Sequence, residues 1–166
     1  MWNDFLQVLQ IHYPSSNDSI HSGCNLDELA VVETSLHLSI PPELQAVYLA
    51  NNGQRTNTAG IFKAVSGYNK YSRLSFLPLS SVISAWNQLC DDKVDVFRPS
   101  DIPFAASYID VGKFDDIYCV DTLTGAVFLL WVACFDPFLP WDWQTARFFR
   151  AETLNDFLRS QSQMYG

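Results

Sequence analysis

The sequence predicts an α+β fold, a single domain over residues 1–166 with a central, mostly antiparallel β-sheet flanked by helices. Three observations carry this expectation. Helical spacing of apolar residues dominates the first half of the chain, with one short strand-like run inside it. From Ile102 onward the period changes, and strand-like runs are joined by a short turn, so hairpins replace the helical crossovers of a parallel sheet. The 166 residues, 48% hydrophobic and 14% aromatic, suit one core, since a domain of this size buries about 70% of the surface its unfolded chain exposes.

Trp2, Phe5, Leu6 and Leu9 stand at i, i+3, i+4 and i+7, one face of a helix that stops before Pro14. The polar run Pro14–Ser19 reads as a loop. Asn25 is a candidate N-cap, with Glu28 placed three residues later to complete a capping box. Leu26, Leu29, Ala30, Glu33 and Leu36 follow as a helix with one apolar stripe. The next helix opens at Ile40-Pro41-Pro42-Glu43, where proline's fixed φ suits a first turn. It buries Leu44, Val47 and Tyr48 and ends at Asn51-Asn52-Gly53, with the glycine as left-handed cap.

Residues 54–73 are polar, and all four of their charges are basic (Arg55, Lys63, Lys70, Arg73), whereas residues 1–54 hold no Lys or Arg. That island reads as a solvated loop. Leu74–Leu77 is a short strand, and a helix follows over Val82, Ile83, Trp86 and Leu89. Asp91-Asp92-Lys93-Val94-Asp95 is an acidic linker. Ile102-Pro103-Phe104-Ala105 starts a strand, with proline marking an edge. Ile117–Asp121 and Ala126–Trp131 form a hairpin across Thr122–Gly125. The second of these strands is apolar throughout, which places it centrally with both faces covered. A final helix over Leu154, Phe157 and Leu158 is capped at or just before Thr153.

Composition excludes several functions. The formal charge of −8 and sequence pI near 4.6 oppose non-specific binding to a phosphate backbone, so no direct nucleic-acid contact is expected. An acidic surface favours a basic protein partner instead. No apolar run reaches the roughly 18 residues of a spanning helix, and no basic, small-residue leader opens the chain, so no membrane role is expected. Cys24, Cys90, Cys119 and Cys134 form no CxxC pair and read as reduced thiols of a cytoplasmic protein. With only His21 near a cysteine, neither a metal nor another cofactor is expected.

Catalytic templates are absent: no GxSxG, P-loop, GxGxxG or HExxH occurs. Asp110, Asp115, Asp116 and Asp121 form one carboxylate group, and Asp91, Asp92 and Asp95 another. Such residues serve as solvated turns, as an acidic patch for a partner, or as a metal or catalytic site. Asp121, at a strand end, reads as a turn cap. In Phe135–Trp143 two prolines forbid regular structure, and the rings either pack as a lid or expose Trp141 and Trp143 as interface anchors. The residues assigned to a partner-binding face are therefore Asp91, Asp92, Asp95, Asp115, Asp116, Trp141 and Trp143, with no catalytic residue.

Ile40-Pro41-Pro42-Glu43-Leu44, then Tyr48 and Asn51-Asn52-Gly53-Gln54, resembles the "LPPEL…Y…NGQ" signature of the SUKH superfamily. Gly60-Ile61-Phe62, Phe76-Leu77-Pro78-Leu79 with Trp86, Ile102-Pro103-Phe104-Ala105, and Tyr118-Cys119-Val120-Asp121 before Gly125 and Val127 match further segments in order. The resemblance spans roughly residues 25–160. It departs at Ala106–Asp110, and 135–143 reads as an addition. It implies a SUKH-like domain without enzymatic activity. The superfamily holds many bacterial immunity proteins, which neutralise a cognate toxin, frequently a nuclease, and the yeast cell-wall assembly regulator, which acts in signalling. Pro41, Tyr48, Gly53, Trp86 and Asp121 match the pattern and read as structural: helix start, core, cap, core and turn.

Overall fold

The computed structural model describes residues 1–55, 57–64, 73–110, 113–132 and 145–165, of which 108–110, 113–115 and 145 are described by backbone alone. Four helices open the chain: α1 (Trp2–His12), α2 (Pro14–Asn17), α3 (Leu26–Leu36) and α4 (Pro42–Ala50). Then come β1 (Phe62–Lys63), β2 (Arg73–Phe76), α5 (Leu79–Asp91), β3 (Asp101–Asp110), β4 (Lys113–Asp121), β5 (Val127–Val132), β6 (Thr145–Ala151) and α6 (Leu154–Tyr165). Among the described residues six strands form one antiparallel sheet whose spatial order is the chain order, β1 to β6. The α+β architecture predicted from the sequence is the one observed.

Local chemistry explains most boundaries. Asn25 accepts the Glu28 N–H at 2.9 Å while the Glu28 carboxylate accepts the Asn25 N–H at 2.8 Å, the reciprocal capping box. Pro42 occupies the first turn of α4, as anticipated. Thr153 caps α6 by accepting the Asp156 N–H at 3.1 Å. The β4–β5 hairpin closes as predicted. Asp121 accepts from the Leu123 N–H (3.1 Å) and the Thr124 hydroxyl (3.0 Å), and Gly125 supplies a φ of 78°.

Several expectations are corrected. Pro14–Asn17 is a short helix rather than a loop, because proline pre-sets its first turn and the Asp18 N–H reaches the Pro14 carbonyl at 2.9 Å. In α3 the buried stripe is Leu29, Val32 and Leu36, and Leu26 is exposed. The C-cap of α4 is Asn51 in extended conformation. Gly53 has the left-handed φ of 77° expected of a cap, but beyond the helix end, where an added Cβ would lie 2.3 Å from the Pro78 nitrogen. The 54–73 stretch is not wholly a loop, since it contains β1 and the first residue of β2. Pro103 lies in an interior strand, not at the sheet's edge. It fits because β2 pairs only with Ala105 and Ala106, and the register with β4 shifts between Pro103 and Ala105. The strand β6 had no sequence expectation at all.

One aromatic core fills the space between sheet, α1 and α6. Phe5 stacks on Phe62 at 5.5 Å between ring centroids, and Tyr118 meets Phe157 edge-on at 4.7 Å. Such pairs add about 0.5–1.5 kcal/mol each beyond their area burial. The short edge strand β1 is sealed by side chains. Gln161 accepts the Lys63 N–H (2.8 Å) and donates to the Lys63 carbonyl (3.2 Å), which also accepts from the Tyr118 hydroxyl at 2.8 Å.

Candidate interaction surface

The signature segment 48–54 is a structural knot. Tyr48 is fully buried and its hydroxyl donates to the Leu77 carbonyl at 3.0 Å. Asn51 accepts from the Trp2 indole at 2.9 Å and donates to the His21 carbonyl at 2.8 Å. Asn52 accepts the Leu79 N–H at 2.9 Å, which holds the first turn of α5. Gln54, 3% exposed, accepts the Phe76 N–H (2.9 Å) and donates to Ser19 Oγ (2.7 Å) and the Ala59 carbonyl (3.1 Å). Asn52 and Gln54 each satisfy buried or part-buried backbone groups that would otherwise lack a partner. All of these side chains are therefore occupied in holding helices to sheet.

A match of the whole-domain sequence to a family model decides the relationship. This chain belongs to the SMI1/KNR4 family (SUKH-1). The family's sequence profile matches residues 23–160. A similar curated protein is the F-box protein SKIP16 of Arabidopsis thaliana, 27% identical over 135 residues, 76% of this chain and 30% of that protein's length. The SUKH-1 chain thus spans under a third of that relative.

The residues assigned to a partner-binding face separate in space. Asp91 ends α5, Asp92 is its C-cap, and both are exposed, as is Asp95. The chain turns there through Lys93, with φ 51°, and the Val94 N–H returns to the Leu89 carbonyl at 3.2 Å. Carboxylates at a helix C-terminus face the negative end of its dipole, an arrangement that costs about 0.3–1 kcal/mol each. Asp116 does not belong to that surface: it is 1% exposed within β4, where its N–H donates to Ser107 Oγ at 3.0 Å. The side chain of Asp115, and Trp141 and Trp143 entirely, lie outside the described residues.

Charge is distributed unevenly along the chain. Residues 1–54 carry six carboxylates and no Lys or Arg, three quarters of the net −8. A buried ion pair missed by the sequence reading lies on the other half. Arg147 of β6 grips Asp101 of β3 through two contacts, 2.5 and 2.9 Å, with Asp101 fully buried and the Arg147 guanidinium 3.8 Å over the Phe128 ring. Only the spacing of Arg147 within an aromatic strand could have hinted at it.

None of the described cysteines is tuned for nucleophilic work. Burial pushes the thiols of Cys24, Cys90 and Cys119 upward, Cys119 well upward, with neighbouring Glu28, Asp91 and Asp101 respectively adding to it. This is the opposite of an activated thiolate. Burial likewise raises the Tyr48 hydroxyl well above its ordinary value and lifts Tyr165 to about 12. Among the described residues no three His, Cys, Asp or Glu side chains gather to hold a metal, and no helix is long and apolar enough to cross a membrane.

Proposed function

We propose that this SUKH-1 chain is a non-enzymatic, cytoplasmic protein-binding domain, and specifically an immunity protein that binds and neutralises a basic cognate toxin of nuclease type. The observation that carries the reading is the placement of Asp91 and Asp92, exposed at the end of α5 where the helix dipole disfavours them, with exposed Asp95 three residues after the cap. Charges held at a cost to the helix are accounted for by a partner. A nuclease toxin is basic because it must hold nucleic acid, so an acidic protein can associate quickly by electrostatic steering and cover the surface the nucleic acid would use. Trp141 and Trp143 are part of the proposal as aromatic anchors.

The test is co-expression with the product of the neighbouring gene as candidate toxin. A stoichiometric complex that restores growth supports the immunity reading, and growth arrest unrelieved by the chain defeats it. One observation favours a second reading, a regulatory or scaffolding domain in signalling: the similar F-box protein carries this region within a chain more than three times as long as the match. Recovery of signalling proteins in place of any toxin supports that alternative.

A further inference from the structure

The basic residues of the 54–73 stretch take no part in the function proposed above. Two of them, Lys63 and Arg73, stand directly opposite each other across the β1–β2 pair, at the end of the sheet away from β6. Side chains of such cross-strand partners lie on one side of the sheet. Both residues are half-buried, and both reach the ring of Tyr165. The Lys63 ammonium lies 4.2 Å from its centroid and the Arg73 guanidinium 5.9 Å. The guanidinium is also 3.7 Å over the ring of Tyr13, which meets Tyr165 edge-on at 5.2 Å. The Tyr165 hydroxyl donates to the carbonyl of Ile61, just before β1, at 2.7 Å, so this aromatic floor is tied to the strand that carries Lys63.

These two cations lack counter-charges. Among the described residues no carboxylate forms an ion pair with Lys63 or Arg73, although the chain has 18 Asp and Glu against 10 Lys and Arg. The Lys63 ammonium donates to the Met164 carbonyl in the last turn of α6, where a cation is favoured. Arg73 has no such use. Its guanidinium donates to no acceptor among the described residues: stacking occupies the face and leaves the edge, where the N–H donors lie. Two like charges gathered at one ring repel each other, and the rings attract them without neutralising either. A guanidinium already held flat needs little further ordering to fork onto an oxoanion.

We propose that Lys63 and Arg73, backed by Tyr13 and Tyr165, form a binding site for one phosphate group, carried on a phosphomonoester or free as inorganic phosphate. Two cations match the charge of about −1.5 to −2 on a phosphate better than the single charge of a carboxylate. A nucleic-acid backbone is a different case, because the net −8 repels a polyanion whereas one phosphate needs only the local pair. The site uses none of Asp91, Asp92 or Asp95 and does not depend on the immunity reading.

The test is titration of the isotopically labelled full chain at constant ionic strength. The probes are inorganic phosphate, a short Gly-Ser peptide bearing one phosphoserine, the same peptide unphosphorylated, and acetate. Saturable shifts are expected at the Arg73 side-chain Nε–H and at the amides of Lys63, Arg73 and Tyr165. Tighter binding of the phosphopeptide than of inorganic phosphate makes a phosphorylated protein the source, and equal binding makes it a small phosphorylated molecule. Arg73→Gln weakens phosphate binding about tenfold or more, because charge-assisted hydrogen bonds are lost. Arg73→Lys keeps the charge without the fork and weakens it about threefold or more. Arg98→Gln removes a cation exposed on the loop between α5 and β3 and leaves affinity within about twofold. Thermal melts of each variant establish that the fold is kept. Acetate binding as tightly as phosphate overturns the assignment, as does an unphosphorylated peptide matching its phosphorylated form. Shifts centred elsewhere, wild-type affinity in Arg73→Gln, or no saturable binding overturn it too.

Discussion

Gly53 and Gly125 share a left-handed backbone, φ 77° and 78°, yet their surroundings differ completely. A Cβ at Gly53 would meet the Pro78 nitrogen at 2.3 Å, whereas at Gly125 nothing lies within 4 Å. Gly125→Ala is thus expected to cost only the conformational term, about 1–2 kcal/mol. Gly53→Ala costs clearly more, because the 48–54 knot must also separate from the start of α5. Urea unfolding of the two variants measures the difference. Asp121 supplies a second single-residue expectation. Burial alone raises its carboxyl, but the Leu123 N–H, the Thr124 and Ser100 hydroxyls and the Arg147 charge outweigh it and bring the value below the ordinary 3.8. Its ionised form therefore stabilises the fold above the unfolded pKa, and that contribution disappears as pH falls through the lower folded value. Stability measured between about pH 5 and about pH 2.5 should decline less steeply in Asp121→Asn than in the wild type. The hairpin role of Asp121 was legible because strand, aspartate and glycine are neighbours in sequence. The long-range role of Gln54, joining Ser19, Ala59 and Phe76, was not.

The same division between local and distant causes governs the elements. The α3 cap is entirely local, and Asn25→Ala should lower stability by about 1 kcal/mol in thermal or urea unfolding. By contrast, β6 escaped a periodicity reading because Arg147 and Arg150 interrupt its apolar alternation, and Arg147 is turned inward toward a partner 46 positions away. Breaking that link by Arg147→Met leaves the Asp101 charge buried and is expected to cost about 3–5 kcal/mol. Replacing Asp101 by Leu in the same molecule should restore much of the loss, and urea midpoints of the single and double variants check both statements. The short helix α2 was missed for an opposite reason: its polar composition matches a loop, and only the proline at its start marks a turn of helix. Among candidate site residues, Asp116 shows the limit of composition, since it is taken inward although its place in an acidic run suggests the surface.

At the scale of the whole molecule, strands that follow one another in sequence also pair in space, so the order of hydrophobic runs sufficed to predict an antiparallel sheet. The sequence also showed its charge asymmetry directly, because formal charge needs no fold. Which acidic groups share a surface required the coordinates. If the proposed steering operates, raising ionic strength from about 0.05 M to about 0.5 M should slow association with a basic partner steeply while changing dissociation little. Stopped-flow kinetics separate the two rates, and replacing Asp91, Asp92 and Asp95 together by Asn should flatten the salt dependence. The packing of α1 against α6 has an architectural consequence of another kind. Phe5 of the first helix and Tyr13, its C-cap, lie 6.1 and 5.2 Å, ring to ring, from Tyr165 at the end of α6. A domain whose first and last helices pack together is entered and left by the backbone on one side, so it can sit within a host sequence like a bead on a closed loop, leaving the host's own course nearly undisturbed.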